Sequence, residues 1–243
     1  MILAILQART GESGLPGAAM MPILRTPMIV RQIERMSRSR RVDRLVVIAS
    51  DQAEDDALAA VVRREAIAVH RGPPDAELAA FIAVLDAHGA EHVVRMSADC
   101  PLAVPEAIDA VIDRHLTSGA DYTGNTPPGS ASPDGQAIEV LSAAALRRRA
   151  AETAALQPDG PGPRVPFTWG IRDDPRRWMI AWLPAPAGAA TVRWSVERPD
   201  DYAFVATVYD HLYPRDRAFT SDDVRAFVRG REDLLTYGGE PRA

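Results

Sequence analysis

The sequence predicts an α/β fold built on a doubly wound, mostly parallel sheet. Three observations carry that prediction. Short apolar runs recur through the first 125 of the 243 residues, nearly unbroken and rich in Ile, Leu and Val, as strands buried on both faces require. Between them lie stretches with helical spacing of apolar residues. Strict alternation of the two implies parallel strands joined by helical crossovers.

The elements follow in order. Residues 2–6 (ILAIL) form the first strand, and a Gly/Pro-rich loop covers 10–22. A helix follows in which Ile29, Ile33 and Met36 share one stripe, with Arg31, Glu34, Arg35 and Arg38 largely off it. Strand 44–50 precedes helix 55–64, and strand 66–72 precedes helix 77–88, where Leu78, Phe81, Ile82 and Leu85 face inward. Strand 92–98 leads to helix 105–116, whose proline at the first turn suits a helix start. A fifth strand falls at 120–125. Beyond it the pattern loosens: a polar segment at 125–136, a short strand at 137–141, and an Ala/Arg-rich helix at 142–155. Residues 157–164 (QPDGPGPR) hold neither helix nor strand and read as a connection or lid. Strand candidates at 178–183 and 191–196 sit among four tryptophans, which read either as a pairing surface or as a lid over the core. Helix 199–212 and a helix capped by Thr220 with Asp223 close the chain. One domain over 1–243 is expected, with 126–190 as an irregular lid or oligomerisation insertion.

Composition narrows the chemistry. All 28 basic side chains are arginine, so Schiff-base catalysis and a P-loop lysine are both excluded. Phosphate must be met by arginine, backbone N–H groups or a metal. A net charge of −5 argues against a duplex nucleic-acid binder. The single cysteine, Cys100, permits no internal disulfide. No apolar run reaches membrane-spanning length, and MILAIL follows no basic leader region, so a cytoplasmic protein without membrane or nucleic-acid partners is expected.

Ligands of open α/β sheets bind beyond the carboxyl ends of the strands. The loop after the first strand, Gln7 to Gly17, carries Gly11, Gly14 and Gly17, whose amides can cradle a phosphate, and Arg9, which can bond one. An irregular surface turn is its other reading. Past the fourth strand, Asp99 stands where a carboxylate reaches a bound cation, or caps a turn with Ser97. Glu197 follows the strand expected at 191–196 and is a second metal-ligand candidate, with Glu139 nearby in type. Asp200 and Asp201 fit a helix first turn without any chemistry. Cys100 reads as a small buried residue, and the five histidines show no ligand spacing.

Three stretches together resemble the cytidylyltransferase family, in its spore-coat polysaccharide branch, related to the CMP-sialate and CMP-Kdo synthetases. Gln7, Ala8, Arg9, Gly11, Leu15, Pro16 and Gly17 match the opening loop; Arg95, Asp99, Pro101 and Leu102 match the central motif. Ser195, Val196, Glu197, Pro199, Asp200 and Asp201, then Tyr213 and Pro214, match the late one. The resemblance implies a Rossmann-like three-layer sandwich of the nucleotide-diphospho-sugar transferase type. It further implies that a sugar hydroxyl attacks the α-phosphate of CTP, with Mg²⁺ as cofactor and pyrophosphate as leaving group. By that resemblance Gln7, Ala8, Arg9, Gly11, Gly14, Gly17 and Arg95 would hold nucleotide, Arg9 and Asp99 would be catalytic, and Asp99 and Glu197 would hold the metal. A homodimer is expected on the same ground. The family's arginine and lysine stand here as Gly14 and Ala18, and an aspartate as Ala137. Arg25, Arg71 or Arg95 would have to compensate, and a substrate-binding homologue without catalysis is the other reading. A metal-dependent glycosyltransferase would need an Asp-x-Asp pair beside a strand, which the sequence lacks.

Overall fold

A computed structural model describes residues 1–11, 14–128, 135–156, 166–183 and 192–243. The connection or lid expected at 157–164 lies outside them, as does part of the 126–190 insertion. The strands are β1 (Ile2–Gln7), β2 (Pro22–Ile23), β3 (Thr26–Pro27), β4 (Arg44–Ser50), β5 (Ala68–Gly72), β6 (His92–Ser97), β7 (Tyr122–Gly124), β8 (Glu139–Ser142) and β9 (Ile180–Trp182). The helices are α1 (Met28–Met36), α2 (Asp56–Arg64), α3 (Glu77–His88), α4 (Pro105–Ser118), α5 (Ala143–Leu156), α6 (Trp169–Arg172), α7 (Pro199–Leu212), α8 (Ser221–Arg229) and α9 (Glu232–Leu235).

Seven strands form one sheet in the order β5-β4-β1-β6-β8-β7-β9. Every pairing is parallel except those of β8, which runs against both β6 and β7. The predicted α/β, mostly parallel architecture is therefore the observed one. Alternation along β1 shows why its run had to be unbroken: Ala4 and Leu6 join α1, α2 and α4 on one face, while Leu3 and Ile5 join α3 and α5 on the other. Three layers result.

A third apolar cluster was not legible. Met28 of α1 packs with Trp194, Phe204, Val208, Phe219 and Val224 under α7 and α8. That layer also covers Arg31 and Arg35, which lie off the Ile29–Ile33–Met36 stripe and are buried. Arg35 Nε donates to Ala103 O (2.7 Å) and Nη2 to Phe219 O (3.0 Å), and its guanidinium lies 4.3 Å from the Phe219 ring centre. On α3 the buried stripe is Ala80, Phe81, Val84 and Leu85, with Leu78 and Ile82 only partly covered.

The strand expected at 191–196 is also corrected. Thr191 lies outside the described residues, and 192–196 run as extended coil with a single bridge at Arg193. The C-terminal tail replaces a sheet neighbour: Arg193 N–H donates to Pro241 O (3.0 Å) and Trp194 Nε1 to Arg242 O (2.8 Å). The tryptophans divide, Trp178 and Trp194 into the core and Trp169 onto the surface.

Beside the start of β6, His115 is buried between His92 (Nδ1···Nε2, 3.1 Å) and Thr123 (Nδ1···Oγ1, 3.0 Å). Burial, reinforced by the neighbouring His92, pushes His115 down to about 4. The unfolded chain binds protons near pH 6.5 that the native chain refuses, so stability is full above that pH and falls as pH drops toward 4. At 1.36 kcal/mol per pH unit, His115 accounts for about 3 kcal/mol of that loss. Urea unfolding at pH 7, 5.5 and 4.5 is expected to show it, with a flatter profile in His115→Gln. An equal slope in both proteins would refute it.

Candidate active site

Two cavities open at the carboxyl ends of β1 and β6. The first, about 210 Å³, is lined by Gln7, Arg9, Ala18, Asp99 and Glu197 among others. The second, about 190 Å³, is lined by Arg95, Asp99, Cys100, Glu139, Trp169 and Arg172 among others. Ser97 and Asp99 belong to both, so the cavities meet at the end of β6.

The glycine loop owes its course to one carboxylate. Asp55 is fully buried; its Oδ1 accepts from Thr10 N (2.8 Å) and Oγ1 (2.6 Å), and its Oδ2 from Ser50 N (2.8 Å). Burial alone would raise its pKa, but the bonds from Ser50 and Thr10 outweigh that and hold it below the ordinary value. Gly17 N then closes the loop on Thr10 O (2.9 Å). Ala8 is buried, with its N–H on Ile48 O, and Gly11 is exposed over Glu54 rather than on a cavity wall. Gly14 adopts φ +105°, and a Cβ there would stand 3.3 Å from Glu197 Cα and Cβ. No side chain, basic or otherwise, fits that backbone without strain. Ala18 is buried.

Asp99 sits on a wired loop. Its carbonyl accepts from Val196 N (2.8 Å), Pro101 O accepts from Tyr209 Oη (2.7 Å), and Cys100 Sγ donates to Asp99 Oδ1 (3.0 Å). Glu197 is half-exposed and paired with Arg193 Nη2 (2.8 Å). Its place depends on Asp201, fully buried at the start of α7, whose Oδ2 accepts from Glu197 N (3.2 Å) and Arg198 N (3.0 Å). Asp201 is thus a structural residue. Among the described residues no group of three or more His, Cys, Asp or Glu is placed to hold a metal ion. Two carboxylates on one cavity suit Mg²⁺, which retains waters and takes substrate phosphate oxygens.

Arg95 is drawn inward. Its guanidinium meets Glu139 (2.7 Å), Glu77 (3.1 Å) and Gln7 Oε1 (3.1 Å), and Tyr122 Oη donates to Glu139 Oε1 (2.9 Å). Burial works against its charge, yet the two carboxylates raise its pKa overall. Arg71 is likewise committed, to Asp56, Ser50 O and Gln52 O. Arg25 is exposed in the β2–β3 turn at φ +63°. Sequence reasoning missed Trp169 and Arg172 on the second cavity; their signal, an Arg three residues after a Trp, is too common to single out.

Comparison with known proteins gives the family and the fold. The chain is 28% identical over 229 residues, 91% of each protein, to the spore coat polysaccharide biosynthesis protein SpsF of Bacillus subtilis. It is 37% identical over 114 residues to a 3-deoxy-manno-octulosonate cytidylyltransferase of Anaeromyxobacter sp. (strain K), covering 46% of each. The fold matches that of a cytidylyltransferase from Leptospira borgpetersenii with TM-score 0.86 at 17% identity, over 96% of each chain. It also matches a CMP:2-keto-3-deoxy-manno-octonic acid synthetase solved with CTP, at TM-score 0.63 and 14% identity, over 86% of this chain and 98% of that one. A family model described as cytidylyltransferase matches residues 3–156, more than half of the sequence, and the chain therefore belongs to the cytidylyltransferase family.

Proposed function

We propose that the protein transfers CMP from CTP to a hydroxyl of an acidic or amino sugar, releasing pyrophosphate, in surface polysaccharide or glycoconjugate synthesis. The observation that carries this reading is the pair of cavities joined at Ser97 and Asp99. The cavity beside the glycine loop takes the nucleotide, held by Gln7, Arg9 and the loop amides. The cavity under Trp169 takes the sugar, with Glu139 and Arg95 as a fixed floor. The acceptor oxygen then approaches the α-phosphorus from one cavity, and the bond to pyrophosphate breaks in the other. Asp99 lies between them and, with Glu197, would hold Mg²⁺. The ion, when bound, supplies charge neutralisation on the phosphates. Glu197 shares Arg193 with the buried Asp201, which keeps that guanidinium in place at the start of α7. The names of the relatives, a spore-coat polysaccharide protein and octulosonate transferases, support a sugar of acidic type. The expected setting is a cytoplasmic homodimer of a single 1–243 domain.

Gly14 and Ala18 favour a second reading, a homologue that binds the substrates without joining them, since neither position can supply a cation. Titration calorimetry with CTP, with and without Mg²⁺, separates the possibilities when followed by pyrophosphate release over acidic and amino sugars. Metal-dependent binding with release is the expected result. Binding without release selects the second reading, and no metal-dependent binding at millimolar CTP overturns both.

A further inference from the structure

Gln32 lies on α1 and is fully buried, yet its side chain faces the Asp99 loop. Its Nε2 donates to Ser97 O (2.7 Å), and its Oε1 accepts from Cys100 N (3.1 Å). The two bonds fall on either side of Asp99: two residues before it, and one after. From this bracket we infer that Gln32 is a positioning residue, which sets where the Asp99 carboxylate stands between the two cavities. The inference rests on the proposed transferase role of Asp99.

A buried primary amide costs several kcal/mol unless its groups are bonded, so volume alone is met better by Leu or Met. What an amide adds is a donor and an acceptor at fixed separation. Ser97 is the last residue of β6, and Cys100 directly follows the turn at 98–99. Holding both to one rigid carboxamide fixes the turn between them, and with it the direction in which Asp99 leaves the backbone. Arg35 on the same helix takes Ala103 O, three residues further on, so α1 holds the loop from one side while Val196 and Tyr209 hold it from the other. The loop that bears the shared carboxylate is thus tied to the core rather than to solvent.

A misplacement of about 1 Å at a reacting centre costs on the order of a hundredfold in rate. Gln32→Met keeps the volume and removes both bonds. The expected result is a kcat lower by about ten- to a hundredfold with KM for CTP changed less than about threefold. The deciding measurement is the double-mutant cycle with Asp99→Asn, read in turnover and in Mg²⁺-dependent CTP affinity. Acting through Asp99, the Gln32→Met change should cost less than about threefold once Asp99 is already asparagine. A purely structural role gives the same loss in both backgrounds and overturns the inference, as does wild-type kcat in Gln32→Met. Should Gln32→Met fail to fold, Gln32→Asn carries the same cycle, since its amide is one methylene short and spans only one of the two partners. A wild-type chain silent toward Mg²⁺ and CTP overturns the transferase reading and this inference with it. An active wild type with an additive cycle overturns this inference alone.

Discussion

Asp99→Asn is expected to lower pyrophosphate release by at least about a hundredfold, the scale of losing one preorganised electrostatic group in a transition state. The melting temperature should move by less than about 2 °C, because the substitution is isosteric and the backbone bond that the loop needs is kept. That bond is Val196 N to Asp99 O, and it involves no side-chain atom of Asp99. Asp99 lines both cavities, and its carboxylate accepts a weak bond from Cys100 Sγ. The effect is therefore on chemistry, not on folding. Initial rates over a Mg²⁺ series, paired with thermal unfolding of the same preparations, check both halves. Retention of full turnover would remove Asp99 from the site.

Asp201→Ala should act in the opposite sense, mainly on stability. Asp201 and Arg242 form an ion pair in which neither side chain is exposed to solvent (Oδ1···Nη2, 2.8 Å). Arg193 adds a second guanidinium through Nε (3.1 Å), and the amides of Glu197 and Arg198 add two further donors. Burial alone would raise the Asp201 pKa, but the bonds from Arg193 and Arg242 hold it below the ordinary carboxylate value. Removing the carboxylate strands a fully buried guanidinium, a loss of about 3–5 kcal/mol. For a chain of this size that is roughly 10 °C in melting temperature. The contribution is present above the unfolded carboxylate pKa and vanishes as pH falls through the lower native one. Denaturation of Asp201→Ala at neutral pH tests the magnitude, and a drop under about 1 kcal/mol would contradict it. Arg242→Met in the same background should recover part of the loss, since no buried charge then lacks a partner.

The sheet was legible because burial on both faces leaves a plain mark, the apolar runs of β1 and β4 and the one of β6 that only Arg95 interrupts. The strand-end rule then places Asp99 and the Gln7–Gly17 loop at one end of it. Residues 192–196 misled for a physical reason. Their alternation of Val192, Trp194 and Val196 is that of a strand with one buried side, but the C-terminal tail covers them instead of a sheet edge. The burial of Arg31 and Arg35 was not legible, because it depends on the layer that packs over α1. Gln32 left no sequence signal at all. A glutamine between Arg31 and Ile33 looks like an exposed helix position, and only the meeting of α1 with the end of β6 gives it two partners.

The reversed strand β8 has a consequence for how such a protein can change. Because it opposes β6 and β7, Arg95, Glu139 and Gly124 stand side by side across three strands. The stretch joining β7 to β8 therefore returns to the end of the sheet where β6 stops, and it contributes Thr126, Gly135 and Ala137 to the cavity under Trp169. Exchange of Thr126 or Ala137 reshapes one wall of that cavity and leaves every pairing of the sheet in place. Part of the cavity wall and the pairing of the sheet are thus written in separate lengths of chain, so the first can change while the second is inherited unaltered.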